Sequence, residues 1–166
     1  RRHMLELAAT GEPRFVVDDR ELRRDGPSYT VDTLVSLANA YPDAHLALLL
    51  GSDSFATLPS WGRWQELADH AHLVVMARPD PGRPWPDELH TWLSRRETES
   101  WDTLRSERCG RVLFQSVTPL GVSATAVRER LAAGRSGRYL LPDAVWDYIH
   151  AQGLYGAGTH AGGERR

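Results

Sequence analysis

The segment Gly121-Val122-Ser123-Ala124-Thr125-Ala126-Val127-Arg128 sets two hydroxyls and a guanidinium at the start of a predicted helix. A helix N-terminus presents unpaired backbone N–H groups and a partial positive charge. Hydroxyl donors and a planar cation added there can hold phosphate oxygens. The plainer alternative is an N-cap with Arg128 in water. Gly51-Ser52-Asp53-Ser54 follows the apolar run Leu46 to Leu50. Gly51 lets a ligand approach the backbone closely, and Asp53 can accept from ribose hydroxyls; an Asx-type turn is the alternative. Ser28-Tyr29-Thr30 opens a helix whose N–H groups can bind a carboxylate or phosphate, or it is a simple cap. Arg78 follows a strand and can face an anion or water. Trp61 beside Gly62 offers an indole and a bare backbone to a flat ring, with the Gly62 N–H near the ring substituent. Trp61 can equally be core.

The elements that must position these groups follow from periodicity. Met4, Leu5, Leu7 and Ala8 end a helix that stops at Gly11. Phe15-Val16-Val17 predicts a short strand. Thr30 is expected as an N-cap, with Asp32 in the first turn and Val31, Leu34, Val35 and Ala38 as an apolar stripe. Leu46 to Leu50 predicts a strand buried on both faces, and His72 to Ala77 another. Pro59-Ser60 opens a predicted helix over Trp61, Trp64, Leu67 and Ala68. Pro79 to Pro86 is a loop, and Leu89, Trp92 and Leu93 indicate a helix. Val112-Leu113-Phe114 adds a strand, followed by helices over 124–133 and 142–152, the latter with Val145, Tyr148 and Ile149 inward. Strands alternating with helices predict an α/β domain with a mainly parallel sheet. One domain over 1–155 is expected, with 156–166 a disordered tail. No G-x-G-x-x-G fingerprint is present.

Composition narrows the partners. A net charge of −2 argues against coating nucleic acid. Arg95, Arg96, Arg105, Arg108 and Arg111 sit among acidic residues, the pattern of a solvated face. No apolar run approaches the roughly 20 residues of a membrane span, and the start has no secretory apolar region. The single Cys109 excludes an internal disulfide, so a reducing cytoplasm is expected. The seven histidines make no metal-binding spacing; His70 and His72 are taken as structural, and no metal site is expected. No Ser-His-Asp order, Cys nucleophile motif or paired-carboxylate motif stands out.

Taken in order, Ser28-Tyr29-Thr30-Val31-Asp32-Thr33-Leu34, Gly51-Ser52-Asp53-Ser54, Pro59-Ser60-Trp61, Arg78-Pro79, Val122 to Arg128, and Leu141-Pro142 with Tyr148-Ile149 resemble the bacterial nicotinate-nucleotide adenylyltransferase family. The resemblance runs from Met4 to Tyr155. It implies a Rossmann-like parallel sheet with helices on both faces, of the nucleotidyltransferase type. It implies adenylyl transfer from ATP, with Mg²⁺ on the phosphates, to nicotinate mononucleotide, giving deamido-NAD and pyrophosphate. Ser123, Thr125 and Arg128 match the phosphate-holding motif, with Arg128 the charge on the reacting phosphates. Gly51 and Asp53 match the adenosine segment, and Trp61 the aromatic that stacks on the pyridine ring. Thr30 and Gly62 match positions whose N–H groups face the nicotinate carboxylate, and Tyr29 and Arg78 line that pocket. A carboxylate only accepts, whereas a carboxamide must also donate, so a pocket of N–H donors selects nicotinate. In-line phosphoryl chemistry needs positioning and charge neutralisation rather than a protein nucleophile.

The family opens with a G-x-F-D-P-x-H-x-G-H segment that supplies histidines to the ATP phosphates, and nothing like it occurs in this sequence. The expectation is of a fragment beginning inside a helix, without the first β-α unit, rather than a degenerate form, and of poor expression or no adenylyl transfer on its own. Two other readings remain at this point: a nucleotidyltransferase with another acceptor such as phosphopantetheine, and a non-catalytic nucleotide-binding domain. A homo-oligomer is left open.

Overall fold

The alternation of apolar strands with amphipathic segments becomes a parallel sheet. The computed structural model describes residues 1–77, 85–118 and 120–157. Packing divides the chain into two units, Arg20–Pro119 and Arg1–Asp19 with Leu120–Arg166.

The first unit holds β1 (Ala47–Gly51), β2 (His72–Ala77), β3 (Glu97–Thr98) and β4 (Val112–Ser116) in the order β1-β2-β4-β3, every pairing parallel. Leu49, Val74 and Leu113 share one register line, and Leu50, Val75 and Phe114 the next. Successive side chains of a strand face opposite ways. Leu50, Leu73, Val75 and Val112 therefore join a core with α2 (Thr30–Ala40), α3 (Ser52–Ala56), α4 (Leu67–His70) and α5 (Asp87–Leu93), whose buried contributions include Val31, Phe55, Leu67 and Leu89. Val74 and Leu113 pack on the other face against Leu104 of α6 (Trp101–Ser106). Helices thus cover both faces.

Three expectations change. Leu46 to Leu50 is not buried on both faces. Among the described residues β1 pairs only with β2, and Leu49 is left 60% exposed. Phe15-Val16-Val17 is not a strand: a turn closes with the Phe15 N–H donating to the Glu12 carbonyl at 2.9 Å, and Phe15 and Val16 are exposed. The helix expected from Pro59 to Ala68 breaks into 3₁₀ turns at Leu58–Ser60 and Trp64–Glu66, followed by α4. Arg63 stands between the turns at φ 54°, ψ 37°, a left-handed conformation that ends right-handed helix.

His72 is structural as expected. It is buried, its Nδ1 accepts from the Arg111 N–H at 3.2 Å, and its Nε2 lies 2.9 Å from the Glu107 carbonyl, which fixes the Nε2-protonated tautomer. The same turn carries a two-pronged ion pair, Arg111 Nε and Nη2 each 2.7 Å from a Glu107 oxygen, and the guanidinium holds the Glu107 carboxyl below its ordinary range. His72→Leu orphans a part-buried donor and a part-buried acceptor. It is expected to cost about 2–4 kcal/mol, read by urea denaturation. A cost below about 0.5 kcal/mol would mean that water reaches the site.

The second unit is helical: α1 (Arg2–Ala9), α7 (Ala124–Ala132) and α8 (Asp143–Ala151). Val127, Leu131, Val145 and Ile149 form its core with Met4 and Leu7. Leu154–Gly156 is a 3₁₀ turn that brings Ala157 into this core; residues 158–166 of the expected tail lie outside the described residues.

Candidate active site

The two units carry the expected site residues as separate clusters. In the first unit, β1 ends at Gly51 and α3 begins at once at Ser52, so Asp53 sits exposed in the first turn of a helix rather than in an Asx turn. Gly51 has φ −73°, which any residue adopts, and a Cβ built on it meets nothing within 4 Å. Among the described residues neither backbone nor internal packing requires glycine there, and a Cβ would meet open space.

Tyr29, not Thr30, is the N-cap of α2. Its extended backbone (φ −101°, ψ 137°) lets its carbonyl accept from the N–H groups of Asp32 and Thr33 at 3.1 and 3.3 Å. Thr30 becomes the first helical residue, with its N–H pointing out of the helix end. The short break after Ser60 exposes a second donor. Trp61 is half-buried against the sheet core, and Gly62 follows it in the turn. Among the described residues the N–H groups of Thr30 and Gly62 have no hydrogen-bond partner. The two segments touch: a Cβ on Gly62 would lie 2.7 Å from Tyr29 Cδ1 and 2.8 Å from Cε1. With the Tyr29 ring in this position only glycine fits without a shift of the ring.

A second link was not legible in the sequence. The Arg63 guanidinium donates from Nη2 to Asp32 Oδ1 in the first turn of α2, and Arg63 Nη1 lies 3.5 Å from Glu66 Oε2. Charges so far apart in the chain reveal no pairing by spacing. Only the oddness of Gly62 inside an expected helix signalled that this turn is special.

In the second unit Ser123 caps α7, its Oγ accepting from the Ala126 N–H at 3.1 Å. The cap occupies a lone pair and leaves the hydroxyl proton able to donate. Arg128 folds back along α7, Nε to the Ala124 carbonyl at 3.0 Å and Nη2 to Thr125 Oγ1 at 3.3 Å. All three side chains are exposed, gathered over one helix end. Capping and anion-holding are therefore compatible uses of these residues. Arg78 lies outside the described residues. Among the described residues no group of three His, Cys, Asp or Glu could hold a metal, and no helix is long and apolar enough to cross a membrane.

The first unit is a parallel sheet with helices on both faces and open polar groups at a strand end, and residues 1–130 match the family model described as cytidylyltransferase-like, which places the chain in the nucleotidyltransferase class. A "probable nicotinate-nucleotide adenylyltransferase" of Aeromonas salmonicida is 49% identical over 154 residues, covering 93% of this chain and 72% of the relative. One of the same name from Pseudomonas putida is 50% identical over 155 residues, covering 93% and 70%. The chain belongs to the nicotinate-nucleotide adenylyltransferase family. Among solved structures, the Plasmodium falciparum nicotinic acid mononucleotide adenylyltransferase, complexed with APC in one case and NaAD in another, shares the fold. TM-scores are 0.55 and 0.54 at 15% identity, over 82% and 81% of this chain and 62% and 60% of those chains.

Proposed function

We propose that the protein transfers the adenylyl group of ATP, supplied as its Mg²⁺ complex, to nicotinate mononucleotide in a cytoplasmic step that forms deamido-NAD. A phosphate oxygen of the mononucleotide attacks the α-phosphorus. The new P–O bond forms as the bond to the β-phosphate oxygen breaks, and pyrophosphate leaves with the electron pair.

The observation that carries this reading is the pair of unpartnered N–H groups at Thr30 and Gly62, in segments joined by the Tyr29–Gly62 contact. Two fixed donors suit a carboxylate, which accepts at both oxygens. A carboxamide would set its NH₂ against one of them and leave that donor unpaired, a costly arrangement in a closed site. In this reading Trp61 stacks on the pyridine ring, and Tyr29 and Arg78 line the pocket. Gly51 and Asp53 take the adenosine, Gly51 by close approach and Asp53 by accepting from ribose hydroxyls. Ser123 and Thr125 donate to phosphate oxygens, and Arg128 neutralises charge on the reacting phosphates. The relatives' shared name points the same way.

The test is a comparison of acceptors with the full-length protein. Nicotinate mononucleotide and ATP are expected to yield deamido-NAD and pyrophosphate, with kcat/KM at least about 100-fold above that for nicotinamide mononucleotide. Equal use of the two acceptors would remove the donor-pair argument. Adenylylation of phosphopantetheine in preference to both would overturn the function.

A further inference from the structure

Arg63 and Asp32 are both about half exposed, and exposed ion pairs contribute little to global stability. Yet Arg63 adopts a left-handed backbone that side chains rarely take. Such a conformation persists only where its surroundings hold it, and it clusters at functional sites. Here the backbone turn is closed by the Glu66 N–H on the Arg63 carbonyl and the Trp64 N–H on the Trp61 carbonyl, and the guanidinium adds a grip on Asp32 while reaching Glu66.

The position of this pair gives it a purpose. Gly62 directly precedes Arg63, and Asp32 lies in the same helical turn as Thr30. The ion pair therefore bridges the two segments whose N–H groups are free. We infer that Arg63 and Asp32 form a latch that sets the spacing of the Thr30 and Gly62 donors, and so tunes recognition of the acceptor's carboxylate. Both are positioning residues. The latch acts with the Tyr29 contact: Gly62 bears on the ring of the N-cap residue while Arg63 grips the turn that follows it. Two attachments on adjacent residues leave the turn one orientation relative to α2, where either alone would leave a swivel. The inference rests on the acceptor reading above.

Arg63→Asn removes the pair while tolerating left-handed backbone, since Asn enters that region readily. Asp32→Asn removes the charge at constant size. In each, KM for nicotinate mononucleotide is expected to rise about tenfold, with kcat and KM for ATP within about twofold. Backbone ¹⁵N order parameters at Trp61 and Gly62 are expected to fall from about 0.85 toward about 0.6. The exchanged double variant Asp32→Arg/Arg63→Asp should recover most of both losses, because Asp also tolerates the left-handed region. Unchanged order parameters in both single variants overturn the latch. A KM for ATP that rises in step with that for the mononucleotide also overturns it, by showing a general structural effect. A wild-type protein that does not bind nicotinate mononucleotide overturns the acceptor reading instead, and the order parameters still decide the latch.

Discussion

Arg128→Ala is expected to lower kcat by about 10²–10³-fold with the fold intact. The reaction concentrates negative charge on the transferring phosphate and the departing pyrophosphate, and a fixed cation is most effective where that charge grows. In the proposed function that cation is Arg128. Its side chain is exposed, and its partners are the Ala124 carbonyl and the Thr125 hydroxyl of its own helix. Truncation opens no cavity, and surface changes of this kind usually shift stability by less than about 0.5 kcal/mol. Thermal melting should therefore be nearly unchanged while turnover collapses. Arg128→Lys should recover only a minor part, because an ammonium cannot span two phosphate oxygens as a planar fork does. Steady-state kinetics beside a melting curve check both halves. A kcat within about threefold of wild type would show that the phosphates are held elsewhere.

Gly62→Ala is the second large effect, and its cause is steric. The added methyl would sit 2.7 Å from the Tyr29 ring, well inside contact distance. Tyr29 is 45% exposed, so its ring can swing outward rather than strain the core. The cost in stability is expected to stay near about 1 kcal/mol, the low end for overpacking. The cost in function is larger, because the ring lies beside the two free N–H groups. A displacement on the order of 1 Å in a positioning group lowers activity by about 10²-fold. That loss should appear in kcat/KM for nicotinate mononucleotide and leave ATP affinity unaffected. Nearly normal kcat/KM with Ala at position 62 would remove Tyr29 and Gly62 from the acceptor pocket.

Much of this arrangement was legible in the chain because apolar runs and caps act locally. His72 to Ala77 reads as a strand buried on both faces; it is a strand, and His72 to Val75 are buried. Ser123 reads as either a cap or a phosphate ligand, and its geometry permits both. What the sequence concealed depends on neighbours. Leu46 to Leu50 has the composition of an inner strand but, among the described residues, a partner on one side only, and pairing cannot be read from one strand's residues. The helix expected across Trp61 failed because Arg63 turns left-handed, held by a carboxylate 31 positions earlier in the chain. Glu97–Thr98 and α6 carry too short a periodic signal to register, although Ser100 caps α6 by accepting from the Asp102 N–H. Arg128 and Gly62 were singled out from the chain, but the close approach of the Tyr29 ring to Gly62 is visible only in the structure.

The order of the sheet has a kinetic consequence. Every strand pairing among the described residues is parallel, so none of these can form as a hairpin; Ala47 must meet His72, and Leu73 must meet Val112, across whole intervening helices. The entropy of closing those loops is lost before any ladder bond repays it, which slows folding relative to helical or hairpin-rich chains of the same size. β2 touches both flanking strands and is the natural place for a nucleus to gather. During the wait β1, whose outer edge has no strand partner among the described residues, presents the kind of surface that recruits a second chain. Refolding yield should therefore fall with protein concentration well before native stability becomes limiting.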